Sequence, residues 1–370
     1  MRLVPLESIR DGCLLAKDIY DSQQRILLKK GAILNSLIIN KLREYNIFTL
    51  WVNEEYSDKE IATIIKPQLR KKSIKVLKDT FKSADNFQSL WYEKGHFSRK
   101  ESVNCSNEYL ASVYKLAEEL VDSILSNRNV MVNLVDIKSI DDCTYNHSIN
   151  VALLSLVIGL AIKLPLNDLK DLCVGALIHD IGKVLVNKDL IIKKGSLTSE
   201  EYISVKKHTI KGFSYLKNIP NISTAVRLIA LQHHERVDGL GYPAGLTGDQ
   251  INPLAKIVAV ADVYDALSSH RPYRRALLPN EAMEYIMAHS GTIFDHDIVT
   301  VFSRTVVPYP NGTVVKLSNG DIGVVLDTPL YYPLRPDIRI IESKEKKNIG
   351  RLISLLEELS IVITDIVCPT

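Results

Sequence analysis

The spacing of apolar and polar positions changes character along this 370-residue chain. Residues 1–55 read as short strands and turns. RILLKKGAIL carries β-rich apolar segments around Gly31, and LREYNIFTLWV reads as a short helix leading into a strand. Residues 56–128 are polar, with apolar residues every three or four positions. There KEIATIIKPQLRKKSIKVLKDTFKSA is a helical stretch interrupted by Pro67, and EYLASVYKLAEELVDSIL repeats the pattern. Residues 129–305 predict successive helices: HSINVALLSLVIGLAIKL, LKDLCVGALIHDIGKVL, SEEYISVKKHTIKGFSYL, ISTAVRLIALQHHER, KIVAVADVYDALSSH and NEAMEYIMAHS. Thr198, followed by Glu200 and Glu201, reads as an N-cap with first-turn acids, and Ser223 and Asn280 are candidate caps for two more. From about residue 306 the pattern alternates. GTVVKLSNGDIGVVL surrounds Asn319-Gly320, a strong short hairpin signal, and a last helix, NIGRLISLLEEL, precedes a strand, SIVITDIV. The expected fold class is mainly α. It divides into a small α+β N-terminal domain (1–60), a helical connector (61–128), a helical bundle (129–305) and a short β-containing C-terminal segment (306–370).

Composition narrows the function classes. Hydrophobic residues make up 46% and charged residues 24%, values of ordinary globular proteins. A net charge of +3 does not argue for a nucleic-acid or membrane partner. The apolar run VALLSLVIGLAI (151–162) is shorter than the roughly 18 residues of a membrane span, which favours a buried helix. The N-terminal MRLVPLESIRDG has no apolar core of signal-peptide type, so the expected location is the cytoplasm. Five scattered cysteines without a CxxC pair suit reduced thiols.

The candidate chemistry lies in an ordered set of histidines and aspartates on consecutive helices: His147, then His179–Asp180, His208, His233–His234 and Asp262. A lone helical histidine is more often structural than a ligand. The ordered set is more specific, because burying such groups without partners is costly and a metal removes that cost. Five imidazoles and two carboxylates exceed the needs of one ion. Asp180, beside His179, is the natural bridge between two. Paired ions about 3.5–4 Å apart activate a shared water and stabilise in-line displacement at phosphorus. Mixed nitrogen and oxygen ligation suits iron, manganese or zinc. Helical spacing would place Lys183 on the same face as His179 and Asp180, where it could hold a phosphate oxygen; otherwise it is a solvated helix-end lysine. Arg271 and Arg274 in HRPYRRA suit a phosphate or a guanine edge, or else form a solvated loop.

At these residues the chain resembles the HD-GYP family, a branch of the HD-domain phosphohydrolases. The matching segments are HSINVALL, ALIHDIGKVLV, KKGSLTSEEY, KHTIKGFSYL, HHERVDGLGYPAGLTGDQI and AKIVAVADVYDALSSHRPYR, over about residues 140–300. The resemblance implies an HD-type helical bundle and a metal-dependent phosphodiesterase that opens cyclic di-GMP to linear pGpG, in some members continuing to GMP. It carries the metal ligands onto His147, His179, Asp180, His208, His233, His234 and Asp262, and the phosphate-binding lysine onto Lys183. Substrate contacts fall on Arg271, Arg274 and Tyr242. Family members with a third metal have a glutamate where this chain has Cys143, so two divalent ions are expected here.

The resemblance also brings a partner: GYP loops in the family contact diguanylate cyclase (GGDEF) domains. A homodimer through the helices before residue 129 is a further candidate. Two other functions compete with cyclic di-GMP hydrolysis. One is hydrolysis of another cyclic dinucleotide, such as cyclic GMP-AMP. The other is a non-catalytic cyclic di-GMP sensor or docking module. His96, His270, His289 and His296 are expected to be surface or structural residues.

Overall fold

The structure is a computed structural model. It describes residues 2–6, 9, 11–20, 26–45, 47, 49–53, 65–93, 99–126, 132–133, 143–193, 195–269, 277–309, 311–329 and 331–367. The chain opens with β1 (Arg2–Pro5), β2 (Leu14–Leu15), β3 (Ile19–Tyr20), β4 (Ile26–Leu28), α1 (Ser36–Glu44) and β5 (Thr49–Asn53). β5 pairs antiparallel with both β1 and β2, and β3 pairs with β4. Asn35 caps α1 by accepting from the Ile38 amide at 2.9 Å. Leu6, Leu15, Leu34, Leu42, Ile47, Leu50 and Val52 close a small core of their own.

Two long helices follow, α2 (Pro67–Glu93) and α3 (Arg99–Ser126), then the short β6 (Val132–Asn133). Pro67 begins α2 rather than interrupting a helix, as suits a residue with no amide hydrogen to place in the first turn. Next come α4 (Cys143–Ala161), α5 (Leu166–Ile178), α6 (Lys188–Ile192), α7 (Ser199–Lys206), α8 (His208–Lys217), α9 (Thr224–Gln232), α10 (Pro253–Ser268), α11 (Pro279–Ala288) and α12 (His296–Thr305). α6 and α12 lie outside the elements expected from sequence. α4 carries the apolar run 151–162, and its residues 151–159 are all buried. A helix apolar on every side belongs at the centre of a bundle. α4 packs on α2, α5, α10 and α12, while α5 packs on α3 and α9. α2 and α3 contribute Leu77, Phe81, Val113 and Leu120 to the same hydrophobic cluster as α4, α5 and α10.

Three helix details depart from the sequence expectation. LKDLCVGALIHDIGKVL is not one helix: α5 stops at Ile178 and a tighter 3-10 turn covers Ile181–Leu185. SEEYISVKKHTIKGFSYL breaks at Lys207 into α7 and α8. Asn280 is not a cap, since Leu278 holds that place before Pro279. Thr198 and Ser223 do cap α7 and α9, Thr198 in a reciprocal pair with Glu201.

The C-terminal part holds β7 (Val306–Val307), β8 (Val314–Leu317), β9 (Ile322–Asp327), β10 (Asp337–Glu342), β11 (Leu352–Ser354) and β12 (Ile363–Ile366). β7 runs parallel to β6. The other five form an antiparallel sheet in the order β11-β10-β9-β8-β12. The hairpin expected at Asn319-Gly320 joins β8 to β9, with Gly320 at φ +90°. NIGRLISLLEEL is not a helix. Gly350 takes a φ of +87°, and Leu352–Ser354 pairs with β10. Its apolar spacing fits a helix face, yet Ile353 and Leu355 fill the sheet core while Leu352 and Leu359 face solvent.

Candidate metal centre

The bundle brings all seven expected ligands together from five helices, most of them at or near a helix end and Asp262 from within one. His147 lies near the start of α4. His179 and Asp180 follow α5, with Asp180 at φ −95° and ψ 10°, a sparsely populated region where active-site residues recur. His208 opens α8, His233 and His234 follow α9, and Asp262 lies in α10.

Two glycines set the approach. The 181–185 turn packs so tightly on α8 that a Cβ on Gly182 would lie 1.9 Å from the His208 carbonyl oxygen. That contact holds His208 beside Asp180. A Cβ on Gly241 would lie 2.4 Å from the Arg236 amide nitrogen, so the loop after His234 can fold back on its own stem. The Tyr242–Pro243 peptide in that loop is cis.

Ring orientation follows from hydrogen bonds to carbonyls of the preceding turn. Nδ1 of His179 donates to Ala176 O at 2.7 Å, that of His208 to Val205 O at 2.8 Å, and that of His233 to Ile229 O at 3.0 Å. A carbonyl only accepts, so the proton sits on Nδ1 and leaves Nε2 bare. The three Nε2 atoms converge on Asp180. His208 and His233 stand 3.4 and 3.8 Å from Oδ1, and His179 stands 3.4 Å from Oδ2. His147 differs. Its Nδ1 donates to Asp265 Oδ2 at 2.7 Å, and its Nε2 faces Asp262 Oδ1 at 3.0 Å. Asp262 also lies 4.0 Å from His179 Nε2 and from His234 Nδ1.

The residues fit divalent metal. Asp180 Oδ1 and His179 Nε2 are buried without a hydrogen-bond partner among the described residues. Two bare nitrogens, His208 Nε2 and His233 Nε2, face each other at 3.4 Å, where a cation would relieve lone-pair repulsion. The donor atoms fall into two groups, Asp180 with His208, His233 and His234, and Asp180 with His147 and His179. Asp180 belongs to both.

Electrostatics agrees. Burial pushes the His208 imidazole down to about 4 and holds His234 well below its ordinary range, so both are neutral as metal ligation requires. Burial acts against the Asp180 carboxylate, but Lys183 and His179 outweigh it and hold the group well below the usual range. Asp262 is depressed in the same way by His147 against its own burial. Burial would lower His147, yet the facing Asp262 and Asp265 raise it to about 9.

Lys183 lies in the 3-10 turn rather than on a continuous helix face, and its ammonium pairs with Asp180 Oδ2. Tyr242 stacks on His234, with ring centroids 4.8 Å apart, and the Lys206 ammonium sits 4.9 Å from its ring centre. Burial pushes the Tyr242 phenol up, so it remains protonated. Arg271, Arg274, His96 and His270 lie outside the described residues, and of Cys143 the structure describes the backbone alone. His289 and His296 stay away from the cluster. His289 bonds to Tyr285 O, and His296 meets Ser290 Oγ.

The structure adds residues absent from the expected set. Asp265 orients His147, and its Oδ1 accepts from Asn150 Nδ2 at 2.9 Å. Glu235, nearly fully buried, accepts from the Ala244 amide at 2.7 Å and the Leu246 amide at 2.9 Å, tying down the GYP loop. A usable signal existed for two of them. Asn150 and Asp265 each lie three positions after a ligand on the same helix.

No helix among the described residues is long and apolar enough to cross a membrane. Residues 119–298 match the family model described as an HD domain, and residues 314–370 match a KOW domain associated with HD domains. Over 232 residues the chain is 36% identical to a cyclic di-GMP phosphodiesterase of Pseudomonas aeruginosa, covering 63% of this chain and 56% of that protein. It is 37% identical over 201 residues to a 3'3'-cGAMP-specific phosphodiesterase of Vibrio cholerae, covering 54% and 45%. The chain therefore spans about half the length of these two relatives. It is 31% identical over 281 residues to a cyclic di-GMP phosphodiesterase of Thermotoga maritima, covering 72% of this chain and 74% of that one. With the His/Asp cluster and the complete HHERVDGLGYP segment, this similarity gives the family: the chain belongs to the HD-domain family, in its HD-GYP branch.

Proposed function

We propose that the chain is a cyclic-dinucleotide phosphodiesterase that hydrolyses cyclic di-GMP to linear pGpG, and that the seven clustered side chains hold two divalent transition-metal ions, iron or manganese ahead of zinc. The observation that carries this reading is the sharing of Asp180 between the two donor groups. A carboxylate with one oxygen toward each group is the natural bridge of a binuclear centre. Two such ions supply Lewis acidity at phosphorus and an activated water near neutral pH.

The chain's own residues do the rest. His179, His208 and His233 keep bare nitrogens aimed inward because their other nitrogens are committed to carbonyls. Lys183 is about one-third exposed and reaches both Asp180 and solvent, so its ammonium takes a non-bridging phosphoryl oxygen. Tyr242, kept neutral, offers a hydrogen bond without repelling the phosphate. Arg271 and Arg274 supply guanidinium contacts to phosphate or guanine. Water adds to phosphorus, the P–O3′ bond breaks and the 3′ oxygen leaves with a proton. With Cys143 at the position of the optional glutamate, the first cleavage is favoured over the second to GMP.

Similarity to the Vibrio cholerae protein favours a second reading, with cyclic GMP-AMP as the ring cleaved. Side-by-side turnover of the two rings by metal-loaded protein decides between them. Faster pGpG release supports the first reading, and no turnover of either ring sinks both. The loop tip carries Leu240 at 75% exposure, which supports docking of a diguanylate cyclase domain there. The cytoplasm as site of action and a homodimer through α2 and α3 complete the proposal.

A further inference from the structure

His147 is not oriented by its own helix turn. Its Nδ1 partner is Asp265, on α10 and 118 positions away. Asp265 is itself held by Asn150. Asn150 then turns its amide oxygen to Arg70, whose Nη1 lies 3.3 Å from it and 3.3 Å from Asn146 Oδ1. Asn146, Asn150 and Asp265 are at most 4% exposed. The result is a buried polar chain running from Arg70 through Asn150 and Asp265 to His147. Its direction is fixed by chemistry. Guanidinium can only donate, so each amide must present oxygen to Arg70, which turns the Asn150 NH2 toward Asp265. Asp265 then offers its second oxygen to His147.

Arg70 lies in the first turn of α2, well before residues 119–298 that match the HD domain. We infer that Arg70 is a positioning residue of the metal centre: by fixing the amide orientation of Asn150 it aligns Asp265 and so aims His147 Nε2 at the ion on its side. Arg70 bonds to Asn146 and Asn150 and acts on His147 through Asn150 and Asp265. Outer partners of metal-ligating histidines typically alter metal affinity by roughly 10–100-fold. The Asp180, His208, His233 and His234 group does not depend on this chain, so the effect is confined to one ion.

The inference rests on the metal-centre reading, not on the substrate. The test uses full-length protein and manganese alone, titrated against a competing chelator, beside the melting temperature of metal-free protein. Arg70→Met, the milder Arg70→Gln and Asn150→Ala are compared with the double variant Arg70→Met/Asn150→Ala. Expected is a 10–100-fold weaker hold on one of two metal equivalents in Arg70→Met and Asn150→Ala. The double variant should be no worse than the weaker single variant, because both break the same chain. Wild-type affinity for both equivalents in any folded Arg70 variant overturns the inference. So do losses that multiply in the double variant, or equal weakening of both ions. Wild-type protein that binds no divalent metal defeats the metal-centre reading itself and is thereby distinguished.

Discussion

The His208 carbonyl oxygen occupies the space a side chain on Gly182 would need, 1.9 Å from its Cβ position. The obstacle is backbone, so no rotamer change relieves it. Gly182→Ala must push the 181–185 turn away from α8 and carry Asp180 from His208. We expect a stability loss of about 3 kcal/mol or more, the upper part of the overpacking range. Weakened metal binding should accompany it. Denaturant unfolding of metal-free protein checks the first effect, and metal titration the second. A variant with wild-type stability would show that the close approach is not required.

Asp180→Ala removes the oxygens common to both donor groups. Metal content should fall from two ions per chain toward none, and cyclic di-GMP turnover by at least about 10³-fold, with helix content retained. Chelation of the wild-type protein should act similarly and reversibly. It also lowers the melting temperature, since a ligand at a hundred times its Kd contributes about 2.7 kcal/mol. Three ions per chain in active protein would defeat the two-ion expectation, and equal turnover in mutant and wild type would defeat the mechanism.

Glu235→Ala leaves the Ala244 and Leu246 amides without their acceptor. Each charge-assisted bond is worth roughly 1.5–3 kcal/mol in such a setting. The loop carrying Tyr242 should loosen while the metal ligands stay in place. KM for the dinucleotide is expected to rise several-fold with metal content unchanged. Loss of metal with an unchanged KM would place Glu235 in the metal scaffold instead.

Asp295 gives a pH signature remote from the metal centre. It caps α12 by accepting from the Asp297 and Ile298 amides, and it meets Lys256 Nζ at 3.0 Å. Partial burial would raise its carboxyl, but Lys256 and the cap amides outweigh this and lower it below 3.8. A depressed carboxyl binds fewer protons folded than unfolded, so its stabilisation is full above 3.8 and fades as the pH falls below that value. Asp295→Ala should therefore cost about 1–2 kcal/mol at neutral pH and progressively less under acid conditions. Paired melts across pH check this, and a deficit independent of pH would refute it.

The seven expected ligands could be picked out from sequence because each is chemically conspicuous and each lies in or beside an apolar helical stretch. Asp265, Asn150 and Glu235 were not among them, because ordinary polar residues acquire a role only when tertiary packing faces them toward a ligand or a loop. The NIGRLISLLEEL helix failed for a related reason. Apolar residues three and four apart suit a helix face, but backbone pairing with β10 and the positive φ of Gly350 decided for strand. Lys183 was expected on a continuous helix face with Asp180; it pairs with Asp180 from a 3-10 turn instead, which also brings residues three apart together.

Three of the histidines take their aim from a carbonyl three or four residues earlier, while His147 takes its aim from a residue 118 positions away. The centre therefore has a short-range half and a long-range half. The first takes its ring orientations from intact helix turns, and packing of α8 and α9 against α5 and the 181–185 turn brings those rings to Asp180. The second exists only when α4 and α10 have docked. Mild denaturation that parts those two helices should blur the His147 side while the other keeps its shape, so the two ions would leave in sequence rather than together.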